Sequence, residues 1–304
     1  MRTPLLSIII PTRDRPRLLP RAVKSALEQT VEDVEVIVVD DASLQPLNLP
    51  SHPRVRLIRL SKPRSGAGAR NVGTDAALGR WVTYLDDDDR LLPHMAAVSL
   101  EALAQEALPA PVAVLSGIEV VSAQGEITGI LLPPPKRPRG AHFSLEELEP
   151  GCSYNTKQTL IVEREVIHQI GGWDEMFRSR VHSELFLRLN PVCSLLGLPL
   201  VTYQLFDHES SRVSRHPTLR QESFQRLVHK HESLFKAHPK MFAEFVYEHA
   251  RKSYELGQRR AALSSLCWAI QLDPLHTLPR ITSSFQRRLH RYTLWPLAEP
   301  LRSD

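Results

Sequence analysis

The sequence predicts an α/β chain, a mainly parallel sheet flanked by helices, followed by an all-helical C-terminal extension. Three observations carry this expectation. Short β-branched runs alternate with amphipathic stretches over about the first 110 residues, the signature of β-α-β units. A later block has the spacing and turn residues of antiparallel strands. From residue 219 onward the pattern is helical throughout, which divides the chain into residues 1–218 and 219–304.

Residues 5–10 (LLSIII), 34–39 (VEVIVV), 55–60 (VRLIRL) and 81–85 (WVTYL) read as strands. Between the first two, Leu18, Leu19, Ala22, Val23, Ala26 and Leu27 share one helical face, with Pro16 and Pro20 tolerable only near the helix start. Helices are expected over 67–78 and 91–105. Residues 112–132 form antiparallel strands, turning at Ala123-Gln124-Gly125-Glu126. The proline-rich, basic stretch 132–142 is expected as a surface loop, long enough to close over a ligand. A helix over 163–170 stops at Gly171-Gly172, and residues 180–197 read as a largely buried helix interrupted near Pro191. Within 243–276, Ala250, Gly257, Ala262, Leu266, Ala269 and Pro274 are spaced as in a tetratricopeptide unit. One unit cannot form a solenoid, so a helical hairpin packed on the first domain is expected, with partner docking as the alternative.

Composition narrows the class. With 42% apolar and 24% charged residues the chain is that of a soluble globular protein. Cys152, Cys193 and Cys267 are far apart, which suggests neither a disulfide framework nor a thiolate metal site and fits a reducing cytoplasm. The apolar run at 5–10 is too short for a signal-peptide core, and nothing approaches ~18 consecutive apolar residues. The formal net charge is +4, and from Arg280 to the end five Arg face two acids, so most of the excess is in the tail. Nucleic-acid binding needs a broad basic face with groove-reading or stacking elements, and no such motif is present.

In an open parallel sheet ligands bind beyond the carboxyl ends of the strands. Four polar groups fall there: Pro11-Thr12-Arg13-Asp14, Asp40-Asp41-Ala42-Ser43, the Gly-rich helix start SGAGARNVG with Arg70 and Asn71, and the run Asp86-Asp87-Asp88-Asp89. Neighbouring carboxylates repel unless a cation, a helix terminus or water relieves them. Acids at two strand ends beside a basic helix suit a diphosphate bridged by Mg²⁺ or Mn²⁺, ions that prefer oxygen ligands. If the run is extended, Asp86 and Asp88 point one way and Asp87 and Asp89 the other. Asp89 is expected to cap the helix that follows.

The order SIIIPTRDRPRLLPRAVKSALEQT, VEVIVVDDAS, SGAGARNVGTDAALGRWVTYLDDDD and IGGWDEMF resembles the inverting GT-A glycosyltransferases of family 2, over about residues 5–215. The resemblance implies a GT-A fold, Rossmann-like, and transfer of a hexosyl group from a nucleotide-diphosphate sugar (UDP-, GDP- or dTDP-linked) to a glycan or lipid-linked acceptor, as in polysaccharide biosynthesis. It implies that Thr12 and Asp41 contact the nucleobase, that Arg70 lies near base or phosphates, and that Asp40 supports the turn or ribose. Asp86 and Asp88 become the D-x-D pair, with Asp88 on Mn²⁺ or Mg²⁺ and Asp86 or Asp87 at the ribose or behind the metal. Asp207-His208-Glu209 resembles the segment that closes over the diphosphate, so His208 is a candidate metal ligand or phosphate contact; imidazole is softer than these ions prefer, which leaves a histidine satisfied within its loop as the other reading.

The resemblance fails at one functional position. The family's base is an Asp before a helix ending like E-L-x-L-R-L, whereas this chain has Arg180-Val181-His182-Ser183-Glu184-Leu185-Phe186-Leu187-Arg188-Leu189. His182 stands in the aspartate's place and is suited to base catalysis near neutral pH; Glu184 is the other candidate. Against both, His182 and Ser183 can cap the helix while Glu184 pairs with Arg188. A non-catalytic nucleotide-sugar-binding or partner-docking protein of the same fold is therefore the alternative function. Residues 281–297 form a basic amphipathic stretch that either lies on the inner face of the cell membrane or packs on the preceding helices.

Overall fold

The computed structural model of the chain describes residues 3–207 and 216–281. The chain folds into two compact units, Met1–Ser223 and Phe224–Asp304.

In the first unit the four expected strands lie together. β1 (Leu6–Thr12) pairs in parallel with β2 (Val34–Asp40) on one side and β4 (Trp81–Tyr84) on the other, and β2 pairs in parallel with β3 (Val55–Arg59). Every residue of β1 and β2 is buried, as in a parallel sheet covered on both faces. Alternation divides their side chains between two cores. Ile9, Ile37, Val39, Val82 and Tyr84 face one, while Leu6, Ile8, Ile10, Val36 and Val38 face the other. Helix α1 (Leu19–Leu27) covers the second face with Leu19, Ala22, Val23 and Ala26, and Pro20 falls in its first turn, where no intrahelical donor is lost. Helix α2 (Ser65–Ala76) covers the first face with Ala67 and Ala69.

Beyond Asp89 the order departs from expectation. Residues Arg90–Leu91 form a short strand, β5, so α3 begins later, at Met95, and runs to Gln105. β6 (Val112–Val121) and β7 (Ile127–Leu131) form the expected hairpin, with Gly125 at φ 87° in the turn. A 3-10 turn (Tyr154–Thr159) leads into β9 (Ile161–Glu163), which lies antiparallel between β4 and β6, then α4 (Arg164–Gln169) and α5 (Val181–Leu189).

Two expectations are corrected. The proline-rich stretch is no simple surface loop: it contains β8 (Lys136–Arg137), paired to β10 (Ser194–Phe206), and Arg137 is buried against Glu149 at 2.7 and 2.8 Å. The segment after Pro191 is not a helical continuation but β10, parallel to β6. Asn190 and Pro191 end α5, and an apolar run without helical capping joins whichever sheet edge offers ladder partners. The sheet order is β3-β2-β1-β4-β9-β6-β10-β5, with β7 on β6 and β8 on β10.

The boundary between the units falls within α6 (Pro217–Lys230). In the second unit α7 (Glu232–Ala237) precedes a helical hairpin, α8 (Pro239–Glu255) and α9 (Arg259–Leu272), turned at Gly257 with φ 75°. Its core stacks Phe224 on His249 with ring centroids 3.7 Å apart, and the small buried residues Ala250, Ala262 and Ala269 suit close helix approach. No helix among the described residues is long and apolar enough to cross a membrane. His208 and the basic tail beyond Ile281 lie outside the described residues.

Candidate functional site

The carboxyl ends of β1, β2 and β4 meet at one polar cluster. Thr12 ends β1, and its hydroxyl donates to Asp87 Oδ2 at 2.6 Å. Asp40 and Asp41 follow β2 into a tight turn, where Ala42 takes φ 56° and the Ser43 N–H donates to Asp40 Oδ1 at 2.9 Å. Asp40 thus supports the turn. Asp41, 4% exposed, accepts the Arg64 N–H at 2.6 Å, which ties β2 to the start of α2.

The aspartate run is a turn, not an extended strand, and its carboxylates do not alternate. One oxygen from each of Asp86, Asp88 and Asp89 lies within 4.8 Å of the others, whereas Asp87 turns to Thr12 and to Arg15 at 2.9 Å. Asp89 is not a helix cap. It is 1% exposed and accepts from the Tyr203 hydroxyl at 2.8 Å and the Phe206 N–H at 3.0 Å, while α3 begins six residues later. Its burial and its neighbours Asp86 and Asp88 raise its pKa well above the ordinary carboxylate range. Burial also raises that of Asp87, partly offset by the Thr12 hydroxyl and Arg15. Burial alone would raise Asp86 too, but Arg70, with His182 and Arg15 adding to it, holds that carboxyl below its usual range.

Two arginines balance the run from opposite sides. Arg15 Nη1 lies 2.9 Å from both Asp87 Oδ1 and Asp88 Oδ2. Arg70, 6% exposed, donates to Asp86 Oδ1 at 2.5 Å and lies 5.1 Å from the ring centroid of Trp173. A third, Arg21, donates to the Asp88 carbonyl and sits 3.7 Å over the Phe206 ring. Three converging carboxylate oxygens, hard donors of which Asp89 is raised by burial and then by its neighbours' charge, fit a divalent cation of the Mg²⁺ or Mn²⁺ kind.

The turn IGGWDEMF closes the site through α2. Asn71 clamps it, donating to the Trp173 carbonyl at 2.9 Å and accepting the Trp173 N–H at 2.8 Å. Gly172 sits at φ 69°, and a Cβ there would meet Asn71 Oδ1 at 2.7 Å, so glycine is required by both conformation and space. Trp173 is thereby fixed edge-on to Tyr84 at 4.8 Å and to His182 at 5.0 Å.

His182, half-buried in the first turn of α5, thus stands beside Trp173 and within electrostatic reach of Asp86. Burial, Arg70 and Lys157 push its pKa down to about 3 against the pull of Asp86, so the ring is neutral at pH 7. Glu184 has both oxygens taken by Arg188, at 2.8 and 2.6 Å, and Arg188 also donates to the carbonyls of Ile170 and Gly172. That pair ties α5 to the glycine turn. Thr12, Asp41, Arg70 and the aspartates therefore come together, with His182 in electrostatic reach of Asp86 and Arg70. Sequence alone does not single out Arg15, Arg64 or Tyr203; Arg15 shares the strand-end loop of Thr12, the one signal that could have found it.

Residues 7–139 match Glycosyl transferase family 2. The chain is 37% identical over 129 residues to the succinoglycan biosynthesis protein ExoO of Rhizobium meliloti, an alignment covering 41% of this chain and 36% of that protein. It is 38% identical over 96 residues to a GalNAc(5)-diNAcBac-PP-undecaprenol beta-1,3-glucosyltransferase of Campylobacter jejuni, covering 29% and 31%. The chain thus spans about a third of the length of these relatives. The crystal structure of S. aureus TarS 1-349 in complex with UDP-GlcNAc matches with TM-score 0.62 at 16% identity, over 88% of this chain and 81% of that one. The fold is that of the GT-A architecture, and residues 7–139, a little under half of the chain, carry its similarity to family 2 glycosyltransferases.

Proposed function

We propose that the chain transfers a hexosyl group from a nucleotide-diphosphate sugar to a glycan or lipid-linked acceptor, with inversion, by metal-assisted single displacement. The observation that carries this is the convergence of Asp86, Asp88 and Asp89 beside Asp41, Thr12 and Arg70, with His182 within electrostatic reach of Asp86. Relatives named for succinoglycan and undecaprenol-linked glycan synthesis, and a fold neighbour crystallised with UDP-GlcNAc, support the substrate class.

In this reading Thr12 and Asp41 hold the nucleobase, Asp86 and Asp87 face the ribose, and Arg70 turns from Asp86 to the diphosphate. Asp88 and Asp89 hold Mn²⁺ or Mg²⁺ with Asp86, and His208 is a further candidate ligand. The ion would neutralise charge on the departing diphosphate. His182 Nδ1 or Nε2 takes the acceptor hydroxyl proton as that oxygen attacks the anomeric carbon. A pKa near 3 makes a poor base in the free protein, but the donor's negative charge raises it toward neutrality when bound. Glu184 positions α5 through Arg188. A cytoplasmic site of action, with the basic residues after Arg280 resting on the membrane's inner face, fits a lipid-linked acceptor.

The depressed basicity of His182 favours a second reading, nucleotide-sugar binding without turnover. Incubating the chain with Mn²⁺ and a panel of nucleotide sugars separates the two: metal-dependent binding with release of nucleoside diphosphate supports transfer, binding alone across many acceptors supports the second, and no binding refutes both.

A further inference from the structure

Among the cations around the aspartate run, Arg15 combines a fixed backbone with a head that can let go. Its carbonyl accepts the N–H groups of Leu18 and Leu19, each at 3.2 Å, which anchors it to the start of α1. The residue before it, Asp14, takes φ 55°, and two bonds lock that turn to the loop after β2. The Asp14 N–H donates to Ser43 Oγ at 2.9 Å, and the Leu44 N–H donates to Asp14 Oδ1 at 2.7 Å. A left-handed conformation outside glycine persists where the surroundings fix the direction of the chain, and here that direction brings the Arg15 side chain onto the run.

The guanidinium itself is 35% exposed, whereas that of Arg70 is 7% exposed. A single nitrogen, Nη1, lies 2.9 Å from Asp87 Oδ1 and 2.9 Å from Asp88 Oδ2. Asp87 turns away to Thr12, while Asp88 converges with Asp86 and Asp89. Arg15 therefore straddles the boundary between the carboxylate that turns aside and one that would hold an ion. Arg21 differs, since it reaches the Asp88 backbone carbonyl.

Converging carboxylates repel one another without a cation, and a guanidinium on Asp88 relieves part of that repulsion. A divalent ion and a guanidinium on the same carboxylate repel in turn. Arg15 can give way at low cost: Nη1 already touches Asp87, so leaving Asp88 loses one hydrogen bond and strands no charge.

We propose that Arg15 is an internal substitute for the divalent ion, holding Asp88 in the metal-free chain and yielding it to Mg²⁺ or Mn²⁺ while keeping Asp87. It is a positioning residue whose competition balances the run between turnovers and keeps the ion exchangeable. The inference rests on reading the converging carboxylates as the ion's ligands.

The test follows the full chain without nucleotide. Mn²⁺ is titrated by calorimetry into the unaltered chain, Arg15→Met and Arg15→Gln, the last retaining a neutral donor for Asp87 should the first fold poorly. Both variants should bind Mn²⁺ about ten- to a hundredfold more tightly, the worth of one hydrogen bond to a charged group. NMR of the Arg15 guanidinium, assigned by its absence from both variants, separates direct competition from mere proximity of charge. Saturating Mg²⁺ should speed its rotation, as Asp88→Asn should without any metal. Equal Mn²⁺ affinity in all three proteins, or a rotation rate that Mg²⁺ leaves unchanged, overturns the proposal. Binding of Mn²⁺ by none of them, or binding that survives Asp88→Asn undiminished, sinks the metal reading first and this role with it.

Discussion

Arg70 Nη2 donates to Asp86 Oδ1 at 2.5 Å, and this buried cation holds the first carboxylate of the aspartate run ionised before any ligand arrives. The same guanidinium is therefore counter-ion to the free site and, in the proposed reading, the group that turns to the diphosphate. Its removal acts in opposite directions on the two ligands. Arg70→Met should weaken nucleoside diphosphate binding about tenfold, the loss of a charge-assisted hydrogen bond, while tightening Mn²⁺ binding measured without nucleotide, because a competitor for Asp86 has gone. Parallel shifts of both affinities in calorimetry would rule out the shared role.

Asp88 is one of the three converging carboxylates and, unlike Asp89, is not held by Tyr203. Asp88→Asn keeps the shape and removes the charge. Metal-dependent nucleotide affinity should fall more than about a hundredfold, beyond the roughly 10–100-fold cost of losing a group that only supports a ligand. An unchanged Mn²⁺ dependence would refute the metal assignment.

His182→Ala should leave nucleotide affinity within a few-fold and lower turnover by about 10²–10⁴, the usual contribution of a general base. A further sign of the role lies in pH. If the bound donor raises the ring's pKa from about 3, the acidic limb of kcat should lie above that of kcat/KM for the acceptor-independent hydrolysis of the donor. Coincident limbs would assign the proton transfer elsewhere.

Glu184 is completely buried, and its partner Arg188 spans α5 to the carbonyls of the glycine turn. Glu184→Ala leaves the half-buried Arg188 guanidinium without its carboxylate and should cost about 3 kcal/mol in chemical unfolding. Below the new midpoint, UDP binding should persist. A stable Glu184→Ala protein with lost turnover would instead make Glu184 the base.

The folded pKa of Lys157, about 7, lies below its unfolded value near 10.5. Between these limits the unfolded chain binds the extra proton, so stability rises as pH increases from 7 to 10.5 and is lowest below 7. Lys157→Met should remove this contribution and raise stability at pH 7 by up to about 4 kcal/mol. The quantity to follow is the difference between the two proteins in urea melts across that window; a difference independent of pH would contradict a buried, depressed ammonium.

Much of this was readable from the chain. The four runs at residues 5–10, 34–39, 55–60 and 81–85 are strands β1 to β4 because β-branched runs of that length, separated by one-faced helices, have few other ways to bury themselves. The same order placed Thr12, Asp41 and the aspartates at strand ends and Arg70 on a Gly-rich helix start, and the structure brings them to one cluster. What local pattern could not supply was long-range pairing. The run after Pro191 has no periodicity that tells strand from helix, and only the free edge of β6 makes it a strand. Asp89 looked like a helix cap because Tyr203, 114 residues later, is invisible to a local rule.

The sequence by itself determined strands β1 to β4, the order of the loops that follow them and the chemistry of the side chains there. Tertiary structure alone decided how the four aspartates divide, three converging and Asp87 drawn away by Thr12 and Arg15. It also decided between the readings the sequence left open at α5, where Glu184 pairs with Arg188 while His182 feels the charge of Lys157. The physical reason is common to both. Backbone propensity acts over a few residues, whereas the charge state and partners of a buried group depend on whatever distant segments the fold packs around it.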